Sequence, residues 1–308
     1  MSSLSDHFRS LRRRFKAALP FVRRREYRVL QRRYAELIEA VDGQATLAAA
    51  AKSYVVKPFA QELTGDVCLF VSYAARPTLK RHVQRHIEGL LDAGVCVLLI
   101  VNTEHSADRM AIDAGMLDRL SGAWVRQNLG FDFGAWAHAL QALGDTRRWT
   151  RLFLVNDSIV GPLDDSAFDR MLARVRASDA DIIGLTEALA PRRHLQSYFL
   201  VLQARALRSV AMQRFFARMQ NWPSKSQVID LYESRLTAIA QADGLRCAAL
   251  FPNLSNDPLS SDDTSLRWAQ LVHAGFPYLK SRVISKHAHD KRLRDWLHAS
   301  GMDDQAKP

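Results

Sequence analysis

The sequence is poor in the features that most directly announce a chemistry. Three cysteines, Cys68, Cys96 and Cys247, occur in 308 residues. They lie far apart, each inside an apolar run, with no CxxC pair and no metal-ligand spacing. A disulfide framework and a cysteine metal cluster are excluded, and buried free thiols in a reducing compartment are expected. No run of about 18 apolar residues exists, so no spanning helix is expected. The basic N-terminus lacks an apolar h-region, which argues against a Sec signal peptide, and a cytosolic protein is expected. Neither a GxGxxG loop nor a P-loop occurs, so phosphate cradling by those motifs is unsupported.

What is present is ordinary globular composition, with 48% hydrophobic and 24% charged residues. That suits one large domain or two small ones around a substantial core. The charge is uneven. The chain holds 43 Lys/Arg against 32 Asp/Glu, a net +11, which taken whole invites a nucleic-acid partner. Residues 1–33, however, carry eleven Lys/Arg against Asp6 and Glu26, a net +9, leaving +2 on the other 275 residues. The excess is a basic arm on a nearly neutral body. That body has no basic stripe with interleaved aromatics, so no nucleic acid is expected.

Wound as a helix from Leu4 at about 100° per residue, the arm places Phe8, Leu11, Phe15, Ala18 and Leu19 within about 50° of that residue. Arg9, Arg12, Arg13, Arg14 and Lys16 occupy the rest of the wheel. Pro20 ends the helix and residues 23–33 begin another basic one. Such a helix suits an anionic membrane surface, where each Lys/Arg near lipid adds about 1 kcal/mol. Packing on the domain or on a coiled-coil partner is the other reading. An Arg-rich start also fits a transit peptide, against which Asp6 and the second basic helix count. Residues 1–60 read as a basic amphipathic helical arm, with residues 4–33 as the contact to an anionic membrane. That places the protein in the cytoplasm, peripherally on the inner face of the cell membrane.

From residue 66 the pattern becomes regular. DVCLFVSY (66–73), VCVLLIVN (95–102), AWVRQN (123–128), RLFLVND (151–157) and DIIGLTE (181–187) read as strands. Helical spacing separates them: Leu79, Val83, Ile87, Leu90 and Leu91; then a stretch through Met116 and Leu120; then 133–143 and 165–177. This alternation argues for α/β architecture, a Rossmann-like, doubly wound, mostly parallel sheet covered on both faces. Further on, 194–202 and 246–252 read as strands and 205–243 as two helices. Residues 286–308 read as a charged helical tail.

In such sheets ligands bind beyond the carboxyl ends of the strands. Those ends are all polar here: Ser72–Tyr73, Asn102–Thr103, Gln127–Asn128, Asn156–Asp157–Ser158 and Thr186–Glu187. Two are the most informative. In RQNLGFDFGAW (126–136), Gly130 and Gly134 permit a tight turn, and Asn128 or Asp132 can accept from a ligand hydroxyl. A helix N-cap by Asp132 is the competing reading. In LFLVNDSIVGPL (152–163), Asp157 can hold a divalent cation, Mg²⁺ or Mn²⁺, bridging a diphosphate. An Asx-turn closing the strand is the alternative.

NLGFDFGAW, LVNDSIVGPL, IGLTEA (183–188), HLQSYFLVL (194–202), VIDLYESRLT (228–237) and GFPYLKSRVI (275–284) resemble, in that order, the rhamnan synthesis protein F family over about residues 66–284. The resemblance implies a part in bacterial surface-polysaccharide synthesis. It implies a GT-A-type glycosyltransferase over residues 61–285 that uses nucleotide-diphosphate sugars such as dTDP-rhamnose. A saccharide or lipid-linked saccharide would be the acceptor. Enzymes of that type hold the nucleotide on one half and the acceptor on a second region, with an acidic motif ending a strand between them. Here NDS stands in that place, with one carboxylate where a DxD motif has two. A divalent cation at Asp157 and neutralisation by Arg/Lys or helix N-termini both stay open. Tyr73, Asn128, Gly130, Asp132, Asn156 and Ser158 are expected around the nucleotide sugar.

Transfer with inversion needs a base for the acceptor hydroxyl and neutralisation of the departing diphosphate. Glu187, at a strand end, is the best placed candidate base. Asp257, Asp262 and Asp263 are others, the last two also fitting the cap of a helix over 264–274. His194, Gln196 and Tyr198 are expected to bind the acceptor. Trp222 and Tyr232 sit at helical spacing and read as packing more than as sugar platforms. Lys280 reads as a phosphate contact or a solvated lysine. The rival reading is a non-catalytic polysaccharide-binding or assembly module on a decayed GT-A domain. Methyl transfer is a third, against which the missing GxG loop counts.

Overall fold

The computed structural model describes residues 51–60, 62–255, 262–287 and 289–299. The basic arm over 4–33 and Asp257 lie outside them. Eleven strands can be followed among the described residues. They are β1 (Ser53–Lys57), β2 (Gly65–Tyr73), β3 (Cys96–Thr103), β4 (Gly122–Gln127), β5 (Trp149–Asn156), β6 (Ile159–Val160), β7 (Ile182–Ala188), β8 (His194–Leu195), β9 (Phe199–Gln203), β10 (Cys247–Phe251) and β11 (Leu279–Lys280). Nine form one sheet in the order β1-β4-β3-β2-β5-β9-β7-β10, with β8 on β7. The β4-β3-β2-β5 run is parallel throughout, and β10 pairs parallel with β7. β9 runs antiparallel to both β5 and β7, and β1 antiparallel to β4. The sheet is mixed but largely parallel, as the alternating pattern predicts. Residues 53–57, grouped by charge with the arm, form its edge strand.

The middle strands are apolar on both sides because both faces are covered. Cys68, Phe70, Val97, Leu99, Val101, Phe153 and Val155 face one core, with α1 (Arg81–Asp92) and α4 (Asp165–Ala177) packed over it. Val67, Leu69, Val71, Leu98, Ile100, Leu152 and Leu154 alternate to the other. There they meet α3 (Phe131–Leu143), α6 (Val210–Ala217) and α8 (Ser234–Ala242). The period of two along each strand thus becomes two cores. The short helix α2 (Ala114–Arg119) links β3 to β4, its N-terminus capped by Asp113, which accepts from Met116 N at 2.8 Å.

Helix breaks are where sequence and structure differ most. The stretch after β9 is not one helix but α5 (Ala204–Arg208) and α6, because the Ser209 hydroxyl accepts from Met212 N and starts a new helix. Lys225–Val228 (α7) runs through a π turn, Ile229–Glu233, into α8. The helix expected over 264–274 is two, α9 (Asp263–Leu266) and α10 (Trp268–His273), broken at Arg267. The chain then forms α11 (Ser281–Lys286) and α12 (Lys291–Ala299). Of the cysteines only Cys68 is fully buried; Cys96 and Cys247 are half-buried, and all three are free thiols.

Trp136 locks α3 to the sheet. It is wholly buried, and its indole N–H donates to the Leu69 carbonyl of β2 at 3.1 Å. Trp136→Ala empties that site and is expected to cost about 3–5 kcal/mol, read as a lower denaturant midpoint at unchanged m-value.

Candidate functional site

After the edge strand β1, the chain starts the parallel run at β2, builds outward through β3 and β4, then returns to lay β5 on the other side of β2. Loops leaving β2 and β5 therefore diverge, which opens a crevice at their carboxyl ends. Asp157, the residue after β5, spans it. Its Oδ2 accepts from the Ser72 hydroxyl at 3.0 Å, from Tyr73 N–H at 3.0 Å and from the Lys80 ammonium at 2.7 Å. Lys80 sits at the N-cap of α1, so three elements converge on one carboxylate. The expected Asx-turn is present but belongs to Asn156, whose Oδ1 accepts from Ser158 N at 3.0 Å and Ser158 Oγ at 2.6 Å.

On the other side of β5's end lies a second group. Asn156 Nδ2 donates to Asp132 Oδ2 at 2.6 Å. Asp132 is in the first turn of α3, after a tight turn in which Gly130 (φ 69°) and Phe131 (φ 54°) are both left-handed. A Cβ on Gly130 would lie 2.6 Å from Asn221 Oδ1, and one on Gly134 2.7 Å from the same atom. The two glycines thus seat Asn221, which accepts from Arg126 Nη2 at 3.0 Å. Their role is close protein packing. Asn128 lies half-buried at the start of this turn, and Tyr73 stands exposed at the end of β2.

The structure adds two residues that spacing alone did not pick out as a pair, Glu233 and Lys280. Glu233 ends the π turn, a feature often found at functional sites, and its Oε2 accepts from the Ser197 hydroxyl at 2.5 Å. His194 Nε2 lies 3.7 Å from Glu233 Oε1, while His194 Nδ1 donates to the Arg192 carbonyl at 2.7 Å. Lys280 comes from β11, which pairs with β6 just after the NDS turn, and Ser281 N donates to Ser158 O at 3.0 Å. The Lys280 ammonium rests 4.5 Å from the centre of the Tyr198 ring. Its side chain is half-buried, and among the described residues no carboxylate forms an ion pair with it.

These charges perturb one another. Burial, then the Glu233 charge, pushes Asp132 up to about 6, against the pull of Lys225. Burial works to raise Glu233 too, but hydrogen bonds from His194 and Ser197 outweigh it and hold its carboxyl below the usual range. Burial opposes the charged form of His194, yet Glu233 and the Arg192 carbonyl raise it overall. Burial brings the Lys280 ammonium down to about 8, against the attraction of Glu233.

Other sequence candidates are placed differently. Glu187 ends β7 but is gripped by Arg193, with both carboxylate oxygens at 2.7 Å from guanidinium nitrogens, and Oε1 also accepts from Asn253 N at 3.2 Å. These bonds, Arg193 first, hold its carboxyl low, which makes it a weak base. Tyr198 and Gln196 are buried on either side of the Thr186 hydroxyl, which bonds to both. Trp222 Nε1 donates to the Tyr232 hydroxyl at 2.9 Å, a packed pair rather than a sugar platform. Asp263 is buried, accepting from Leu254 N and paired with Arg267, while Asp262 accepts from Thr264 Oγ1 at 2.9 Å and pairs with Arg282.

A resident divalent cation does not fit this donor set. Asp157 offers one carboxylate whose Oδ2 already faces an ammonium. Among the described residues no group of three or more His, Cys, Asp or Glu side chains converges. A cavity of about 610 Å³ lies behind the Gly130–Gly134 turn, lined by Arg126, His138, Leu207 and Phe216 among others. It is apart from the carboxylates described above. No helix among the described residues is long and apolar enough to cross a membrane.

Comparison with known proteins adds the family. A family model described as rhamnan synthesis protein F matches residues 97–299. Virulence protein VirA of Vibrio anguillarum is 26% identical over 191 residues, covering 52% of this chain and 60% of its own. The Sinorhizobium fredii protein y4gN is 25% identical over 197 residues, covering 61% of this chain and 49% of its own. The matches thus take in about half to three fifths of these relatives' lengths.

The raised Asp132 has a consequence for stability. Between its ordinary value of 3.8 and about 6 the folded state holds a proton that the unfolded chain has released. Stability therefore falls as pH rises through that window. Asp132→Asn removes the penalty, so its melting temperature is expected to exceed the wild type's at pH 7.5 by a margin that shrinks at pH 4. A margin independent of pH would contradict the assignment.

Proposed function

This chain belongs to the rhamnan synthesis protein F family, and from that membership and the crevice at β2 and β5 we propose that it is a glycosyltransferase of surface-polysaccharide synthesis. It moves a sugar, in this reading a rhamnose, from a nucleotide-diphosphate donor to a saccharide or lipid-linked saccharide acceptor. The observation that carries the proposal is Asp157 at the point where the strand order reverses. A GT-A-type enzyme holds the nucleotide over the first half of its sheet and ends the strand between its halves with an acidic residue. In this reading β2, β3, β4 and β5 form that half, and Asp157, following β5 and paired with Lys80, is that residue.

Each group then has a task. Tyr73, Asn128 and the β2 and β4 ends border the nucleotide. Lys80, steered by Asp157, and Lys280 neutralise the diphosphate as it departs, the role a metal plays in a DxD enzyme. His194, Ser197 and Glu233 line the acceptor side. The arm over residues 4–33 holds the enzyme at the cytoplasmic membrane face, where a lipid-linked acceptor would be presented. A non-catalytic assembly module is the second reading, favoured by the single carboxylate at Asp157 and its existing pair with Lys80.

Thermal melting against dTDP-, UDP- and GDP-linked hexoses separates the two. Specific binding at 100-fold excess over Kd adds about 2.7 kcal/mol of stability. A shift of several degrees is expected for at least one donor, with metal withheld by EDTA, and Asp157→Ala is expected to weaken that donor about tenfold or more. If no nucleotide sugar moves the melting temperature, the transferase reading falls and the assembly module stands. Co-sedimentation with anionic vesicles checks the arm: binding at low salt, lost in high salt and on deletion of residues 1–33, is expected, and indifference to vesicle charge would overturn it.

A further inference from the structure

Glycosyl transfer leaves a proton to be placed; with Asp157 already paired with Lys80, Glu187, Glu233 and Asp132 are the other carboxylate candidates for it. Glu187 has both oxygens committed to Arg193. Glu233 has one oxygen on Ser197 and the other facing His194. Asp132 accepts two neutral bonds, from Asn156 Nδ2 and from Phe133 N at 3.0 Å. A carboxylate has about four acceptor sites, and among the described residues these two bonds are the ones Asp132 accepts.

Its position is also the right one. Asn156 and Asp157 are consecutive, yet their side chains turn to different partners. Asp157 meets β2 and Lys80, while Asn156 meets Asp132 on α3. Lys80 and Asp132 are thus tied to different residues of the β5 end, so a diphosphate neutralised at Lys80 and a hydroxyl activated at Asp132 would be handled by separate groups. A displacement with inversion needs its base and its leaving-group partner to be distinct in this way.

We propose that Asp132 is the general base of the transfer, taking the proton of the attacking acceptor hydroxyl, with Glu233 as the fixed carboxylate beside it. The proposal rests on the transferase reading. In the step, the acceptor oxygen bonds to the anomeric carbon, and the bond from that carbon to the phosphate oxygen breaks. The leaving nucleoside diphosphate takes the electron pair, and the hydroxyl proton moves to Asp132. The charged groups that face Asp132 are Glu233 from the π turn and Lys225 from α7. Two neighbouring carboxylates driven in opposite directions, one up and one down, are the usual mark of divided acid–base roles. A base that titrates near the working pH is the efficient one.

The test uses the full chain and whichever dTDP-, UDP- or GDP-linked hexose raises the wild-type melting temperature, with water as the acceptor. Release of nucleoside diphosphate is followed from pH 4.5 to 8.5. The wild-type rate is expected to fall below pH of about 6. Asp132→Asn is expected to lose about 100-fold or more in rate while keeping the donor-induced melting shift, which shows that it is folded and binds. Glu233→Gln removes the neighbouring negative charge, so its acid limb should move to lower pH. A Glu233 whose charge does not reach Asp132 would not move that limb. Asp132→Asn within about threefold of wild type, a limb unmoved by Glu233→Gln, or donor binding with no release at any pH would each overturn the base assignment alone. A wild type that binds no nucleotide sugar overturns the transferase reading and this proposal together.

Discussion

Asp157 holds the crevice in shape. Parallel strands β2 and β5 are neighbours, but the loops beyond them leave in different directions, and nothing in the sheet ties those loops together. One carboxylate oxygen does so, accepting from Ser72, Tyr73 and Lys80 at once. The ion pair is partly solvated, with Lys80 40% and Asp157 15% exposed, so its net stabilisation is modest. Its effect is positional: it fixes a lysine at the start of α1 beside the switch point. The Asn156 turn and the β6–β11 pair then follow from the same few residues. Through them Asp132 and Lys280 reach the same edge of the sheet.

How much of this was legible depends on range. β2, β3, β4, β5 and β7 announce themselves because a strand buried on both faces must be apolar throughout. The polar residues that end them are equally plain, and Tyr73, Asn156 and Asp157 could be named from position alone. The two-residue strands β6, β8 and β11 carry no periodic signal, so the link that brings Lys280 beside Ser158 could not be read. Glu233 was hidden for a related reason. VIDLYESRLT reads as helix, and nothing in its spacing reveals a π turn or which residue ends up opposite His194. Glu187 was named because it ends a core strand; the arginine that grips it lies six residues on, in a loop without pattern.

Charge placement separates the neutral body into distinct local fields. Lys80 pairs with Asp157 of the NDS turn and Lys280 ends β11, the partner of the strand after that turn, while Asp132 at the start of α3 feels the negative charge of Glu233. Arg126 differs from them. It is buried, and among the described residues it donates to Asn102, Gln127, His138 and Asn221, all neutral. Burial brings it down to about 10, so it keeps its charge. That positive charge stands at the end of β4, behind the glycine turn that carries Asp132.

Local rules are broken most clearly at that turn. Phe131 adopts a left-handed backbone although it is not glycine, and Asp132 follows at the helix start with its carboxyl partly removed from water. Neither choice favours folding: a strained non-glycine residue costs on the order of 1–3 kcal/mol, and a raised carboxyl weakens the protein above its own pKa. Both are held in place by asparagine amides whose carbonyl oxygens are engaged elsewhere, that of Asn102 by Arg126 and that of Asn156 by Ser158. The Asn102 side chain donates to the Phe131 carbonyl at 3.2 Å, and Asn156 donates to Asp132. Asn156 ends β5 and Asn102 is the penultimate residue of β3. Their bonds to an unfavourable conformation tie the strand ends to α3 and make this turn, more than the exposed lysines, the place where local stability has been given up.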